Sequence, residues 1–566
     1  MRLIAGIVNS VTRPFVRAWR WALGVVPPMS DAPAGLVPRA WFNVGFFRTL
    51  TAPGWRTLVR WTVVAVGFCL YISLQLVLAY MVNQLMWEYI VAFFVAMACL
   101  VLAVSRPTLA FILWLVLSPL GFIFLRMDFG AGMPAITFDR VALSALAGFL
   151  ILRTMMERHR VKKPIVGEWL TLAFIGYTCV ALYVMQPGSL KTILGTISEK
   201  FDHIGLALIV YYIAKSVLVT RRHLNWIVIG LVITGLYVAV SAFYEHYTGN
   251  QWFSSFLGGN YSLAYGDVEK GRAAGPLLNP AAMGTFLGIT AFLSFHLFAA
   301  TERKTTKAFY LASMVAQLIG CYFCLTRSGY VSALLLFALM PFFTTHYRKQ
   351  YAAASAAAVL VAIIGLPILL SNADVANRMS KTSTVLGRIV ITASTINIIK
   401  HYPVFGVGLG EIDNALQQYV TNAGTLSGLI ARGGMLNRYQ PQGKLIQVLT
   451  SHNSILTICA EQGLIGGALF VGALIAFVIH LFGVRARLPD EGLLGKDFVT
   501  LLIIAIIGHT ASTCGYDIRF FKYPSYFLWV LFAIGVRLGE ITAEEHESEP
   551  VEQLVTSEPA GGLVHA

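Results

Sequence analysis

Apolar runs of about 20 residues, the length that crosses a bilayer's hydrocarbon core as a helix, follow one another along most of the chain. They fall near 61–82, 88–104, 107–125, 138–153, 168–185, 203–219 and 225–245, then near 279–300, 308–325, 329–346 and 351–370. Three more lie near 454–482, 497–513 and 524–540. Lipid offers no partner to backbone N–H and C=O groups, so such runs must be helical. The pattern predicts an all-α polytopic membrane protein of about 12–14 transmembrane helices.

Four stretches break the pattern. Residues 1–57 carry Arg13, Arg17 and Arg20 among Phe15, Trp19 and Trp21, which reads as a basic amphipathic segment on a membrane surface. The arginines interrupt what a cleavable signal would keep apolar. Pro27, Pro28, Pro33 and Pro38 then make a linker. Residues 246–278 and the longer segment 371–451 separate spans inside a transmembrane domain covering 58–540. Residues 541–566, rich in glutamate, read as a disordered acidic tail.

Composition supports this picture and sharpens it. The 566 residues are 57% hydrophobic and only 12% charged, yet the net charge is +15. Most Lys and Arg sit in short segments between spans, as topogenic charges do, which argues against nucleic acid as a partner. Six of the seven cysteines lie inside apolar runs; they read as small packing residues and imply no disulfide framework. With the basic N-terminus inside, Arg106, the Arg153–Lys163 cluster, Arg221 and Arg222, Arg303 to Lys307, Arg348 and Lys349, and Arg485 and Arg487 all fall on one side. A single parity thus fits the chain and puts both termini in the cytoplasm. Segment 371–451 is then outside, which in a bacterial inner membrane is the periplasmic face.

That outer loop holds seven basic and three acidic residues, a net charge of +4 where topogenesis gives no reason for excess. Arg378, Arg388, Arg432 and Arg438 are of the type that grips phosphate through two parallel hydrogen bonds. Thr326-Arg327-Ser328-Gly329 puts an arginine where a span leaves the membrane. Gly387-Arg388 opens a run ending at His401-Tyr402-Pro403, followed by the G-x-G-x-G of Gly406, Gly408 and Gly410, read as a tight turn before a short helix near Glu411. Ser451-His452-Asn453-Ser454 stands at the start of a span. His452 is either a neighbour of a helix cap or a neutral imidazole fit for general-base work. Arg272, with Asn279-Pro280 after it, either contacts substrate or anchors the bend.

Taken in order, these elements resemble the O-antigen ligase and O-antigen polymerase family of bacterial envelope glycosyltransferases, over roughly residues 200–480. The matching pieces are R-x-x-G before N-P, the T-R-S-G span exit, the G-R helix start, H-x-P-x-x-G-x-G-x-G, and the H-N at a span start before Glu461-Gln462-Gly463. The resemblance implies a C-type glycosyltransferase-like fold that takes a glycan from undecaprenyl diphosphate. It gives His452, Arg327 and Arg388 as catalytic residues. Arg272, Asn279, Asn453, Arg432 and Arg438 are the substrate-binding expectations. The acceptor is lipid A-core or a growing glycan, the mechanism inverting, with no cofactor and no metal. Glu411 and Asp413 form an acid-x-acid triplet, either a pair of the kind that binds Mg²⁺ or Mn²⁺ in other glycosyltransferases or helix-start acids. The second is preferred because arginines already supply the countercharge. A transporter or flippase of lipid-linked glycan is the alternative, for which mid-membrane charges would be the mark.

Overall fold

The computed structural model describes residues 87–121, 126–127, 136–157, 163–185, 202–250, 272–371, 383–422, 451–518 and 521–556. The N-terminal segment 1–57, the first expected span, Arg432 and Arg438 lie outside the described residues. The chain divides into two compact units, 1–106 and 107–566. Within the first, helix α1 spans Trp87–Ser105.

In the second unit the helices are α2 Pro107–Leu117, α3 Phe138–Glu157, α4 Val166–Met185, α5 Asp202–Val217 and α6 Arg221–Thr248. Next come α7 Pro280–Ala300, α8 Lys304–Phe323, α9 Arg327–Phe343 and α10 Arg348–Ser371, and then α11 Ser383–His401 and α12 Ile412–Asn422. The last three are α13 Ser454–Arg487, α14 Lys496–Ser512 and α15 Lys522–Thr556. Two-residue strands at Arg126–Met127 and Ile136–Thr137 pair antiparallel before α3. The protein is an all-α polytopic membrane protein, and helix follows span almost run for run. Among the described residues, five helices (α4, α6, α7, α13 and α15) are long and apolar enough to cross a bilayer by that measure alone.

Helix α7 lies at the centre, buried from Pro280 to Leu297. Small residues let it approach its neighbours: Gly284 meets Gly329 of α9 backbone to backbone, and Gly288 meets Ala333. One end of the bundle gathers the end of α6, the starts of α7, α9, α13 and α15, and the ends of α8 and α14. The opposite end carries ion pairs. Lys215 bridges Glu168 at 2.6 Å and Glu540 at 2.9 Å, Arg537 meets Glu540 and Glu544, and Arg221 meets Glu545. Helix α15 runs on past position 540 to Thr556, which keeps these glutamates on a helical face.

The run expected to cross as one span near 454–482 is broken instead. Straight, the 34 residues of α13 would extend ~50 Å. Yet Arg485 Nε near one end donates to Thr500 Oγ1 at 2.7 Å, and the Ser454 amide at the other donates to the Thr513 carbonyl at 3.1 Å. Thr500 and Thr513 are only ~20 Å apart along α14. Even with the reach of the arginine, α13 must turn by roughly a right angle. The turn is at Gly463, whose φ of 70° and ψ of 179° are not helical.

The G-x-G-x-G segment fills the break. In an unbroken helix the Leu464 N–H would bond the Ala460 carbonyl. Here Leu464 donates to Pro403 O at 2.7 Å, while Ala460 O receives the Val407 N–H at 2.9 Å and Glu461 O the Gly408 N–H at 3.1 Å. Backbone groups freed by the turn thereby find partners in the docked segment. A Cβ on Gly463 would strike the Val404 carbonyl, and one on Gly406 the Glu461 backbone, so only glycine fits at these two positions. Tyr177 of α4 hydrogen-bonds Val404 O, and Thr178 donates to Gln462 Oε1 at 2.7 Å. Residues 464–487 are long enough to span alone; residues 454–462 turn aside and carry His452 back toward the start of α9 and the end of α14. A small core of Ile398, Ile399, Ile412, Leu416 and Ala460 binds α11 and α12 to this half-helix.

Candidate functional site

The site lies where five chain segments meet at one end of the bundle. Arg272 precedes a short 3-10 turn, and its Nη2 donates to Thr326 Oγ1 at 2.8 Å. The neighbouring backbone is fixed as well, with the Ala273 N–H bound to the Phe323 carbonyl at 3.0 Å. Thr326 is the N-cap residue of α9, but its hydroxyl donates to Cys324 O at 2.8 Å rather than capping. Arg327, the first residue of α9, thus emerges beside Arg272 at a helix N-terminus, where the helix dipole favours anions.

Arg388 comes from α11 and reaches the same place. Its Nη2 donates to Gly515 O at 3.3 Å, in the loop between α14 and α15. Gly515 packs directly on Ser328, the neighbour of Arg327. Crowding by protein, then the positive charges of Arg272 and Arg327, lower the pKa of Arg388 from its ordinary value. Three guanidinium groups from distant parts of the chain share one field.

His452 completes the group. Its φ of 51° is left-handed, unusual for a non-glycine residue, and puts the imidazole just ahead of the α13 N-cap. The residue is exposed to solvent. Surrounding protein and the Arg388 charge push its pKa below the usual histidine value, against the opposing pull of Asp517. A neutral imidazole at physiological pH follows. Ser454, two residues on, is gripped by the α14–α15 loop: the Ile518 N–H donates to its Oγ at 2.9 Å. That loop carries Asp517, which is buried.

The two asparagines have structural work. Asn279 Oδ1 accepts the Ala281 and Ala282 N–H groups and caps α7; Asn453 Oδ1 accepts those of Ile455 and Leu456 and caps α13. For Asn279 the anchor is the reading that the hydrogen bonds favour. Glu411 accepts from Asn414 Nδ2 at 2.6 Å, and Asp413 stands in the first turn of α12, as helix-start acids do.

Residues 312–471 match the profile of the family described as O-antigen ligase (Wzy_C). Over that segment the chain is similar to the O-antigen ligase family. No curated protein matches the chain. The matched segment contains Arg327, Arg388 and His452 and ends just past the Gly463 turn. Arg272 and Asp517 fall outside the matched segment, and the fold alone brings them in. Sequence reasoning missed Asp517, whose signal was slight: a single acid in Cys514-Gly515-Tyr516-Asp517, near a span end on the face of the arginines.

Proposed function

We propose that this protein transfers a glycan from an undecaprenyl diphosphate carrier to an acceptor hydroxyl at the periplasmic face of a bacterial inner membrane. The O-antigen ligase domain supports glycan transfer as the reaction class. The observation that carries the reading is the convergence of Arg272, Arg327 and Arg388 beside an imidazole that is held neutral.

In this reading the arginines bind the donor diphosphate, each guanidinium presenting a planar fork to phosphate oxygens. His452 accepts the acceptor hydroxyl's proton as its oxygen attacks the anomeric carbon. The bond from that carbon to the diphosphate oxygen breaks on the opposite face, and the electron pair leaves with the diphosphate. Configuration inverts. The guanidinium groups stabilise the leaving charge as it forms, so the step proceeds without a metal ion. Asp517 orients and supports His452 as the ring takes on charge.

The acceptor is lipid A-core in a ligase, or a growing O-antigen or exopolysaccharide chain in a polymerase. Of the charges that a transporter would need inside the membrane, Lys215 is instead paired with Glu168 and Glu540 at the end opposite the site. Purified protein given a lipid-linked glycan donor and an acceptor tests the reading: glycosylated acceptor is the expected product. Full transfer by Arg327→Ala, Arg388→Ala and His452→Ala variants would defeat it.

A further inference from the structure

Glu245 stands in the last turn of α6, 3% exposed, at the end of the bundle where the arginines gather. Its Oε2 accepts both the Ala274 and the Gly275 N–H, each at 2.9 Å. Those amides lie two and three residues after Arg272. On the other side the same strip of backbone is held by Phe323 O, and Arg272 itself by Thr326. The segment is therefore clamped between α6 and the α8–α9 junction. Cys324, at that junction, lies within electrostatic reach of both Glu245 and Arg272.

Two amides do not require a carboxylate, because a neutral carbonyl oxygen accepts them as well. Burying a carboxylate is costly unless positive charge compensates it, and Arg272 lies two residues before the first of the amides that Glu245 holds. A site that binds a multivalent anion through three guanidinium groups has a converse difficulty. Binding the product as tightly as the transition state gains no rate and delays release.

We infer that Glu245 is a positioning residue of the anion site with a second, electrostatic task. It fixes the backbone from which Arg272 extends, and its fixed negative charge offsets part of the cluster's positive charge so that diphosphate leaves after transfer. The inference rests on the reading that the arginines hold a diphosphate.

Two substitutions separate the tasks. Glu245→Gln keeps one oxygen able to accept both amides and removes the charge. Glu245→Asp keeps the charge but is one methylene too short to hold both amides. Binding of inorganic diphosphate to the purified full chain at low salt is the readout, with thermal unfolding of each variant alongside. Glu245→Gln is expected to bind diphosphate roughly tenfold tighter, the order of effect that removing one negative charge near an anion has. Its kcat and donor KM fall together. Glu245→Asp is expected to bind more weakly and to raise KM. Opposite directions support the inference. A shift in the same direction, or none in either, overturns it, as does a Glu245→Gln protein that fails to fold where Glu245→Asp folds. No diphosphate binding by the wild-type chain would instead strike the reading of the arginine cluster itself.

Discussion

The Ser454 amide donates to the Thr513 carbonyl at 3.1 Å, which ties the residue two places after His452 to the end of α14. The loop that follows Thr513 carries both Gly515, which accepts from Arg388, and Asp517, whose charge acts on His452. One short loop thus joins the candidate base to a candidate anion-binding arginine.

The first prediction concerns pH. Arg388 lowers the His452 pKa and Asp517 raises it. If neutral His452 is the base, kcat/KM falls on the acid side as the ring protonates. Asp517→Asn removes the raising influence, so the acid limb moves to lower pH while the plateau rate drops. A limb that moves up, or does not move, would show that Asp517 does not act through His452. A pH–rate profile of both proteins decides this.

Each arginine is expected to matter through its shape as well as its charge. Arg327→Ala and Arg388→Ala should lower transfer by about 10²–10³-fold, as loss of one preorganised donor does. Arg327→Lys should recover little, because an ammonium does not reproduce the planar fork. Initial rates with a lipid-linked donor measure the effect, and equal activity of the lysine variant would argue for a purely electrostatic role.

Asn453 and His452 are neighbours with separable tasks. Asn453→Ala removes a helix cap and should cost about 0.5–2 kcal/mol of stability. Asn453→Asp, which caps equally well, should retain both stability and most transfer. His452→Ala should abolish transfer with a smaller change in thermal unfolding. If Asn453→Asp loses transfer while remaining folded, the asparagine amide touches substrate.

Activity in the presence of EDTA is expected to equal activity without it. Loss on chelation with recovery on adding Mg²⁺ would assign Glu411 and Asp413 a task other than starting α12.

Orientation has its own test. Lys400 on α11 is exposed, and Lys400→Cys should react with a membrane-impermeant thiol reagent applied to the outside of intact spheroplasts. The exposed Cys179 and Cys514 must first be replaced by serine. Labelling only after lysis would reverse the proposed topology.

The membrane helices were legible because lipid leaves an apolar run of that length no other conformation. The arginine and histidine positions were legible because charge at a span end stands out against hydrocarbon. The right-angle turn was not. The apolar runs on either side of Glu461-Gln462-Gly463 read as one span, and the reason for glycine there is a partner segment well before it in the chain. The same holds for the G-x-G-x-G turn, whose local form was readable but whose docking partner was not. Glu245 and Asp517 escaped for a related reason. Each is a lone acid in its own segment, and only tertiary packing brings Glu245 to the backbone after Arg272 and Asp517 within reach of His452.

Leu278, Leu325 and His452 are the non-glycine residues with left-handed φ among those described, at 58°, 45° and 51°. Each stands immediately before the N-cap of a helix that starts at the site: α7, α9 and α13. Such backbone costs a side chain of order 1 kcal/mol or more, a cost glycine avoids. For anyone engineering a sturdier version of this protein, Leu278 and Leu325 are therefore places where glycine relieves the chain. Position 452 offers no such latitude, since the residue that would relax the backbone is the one that discards the imidazole.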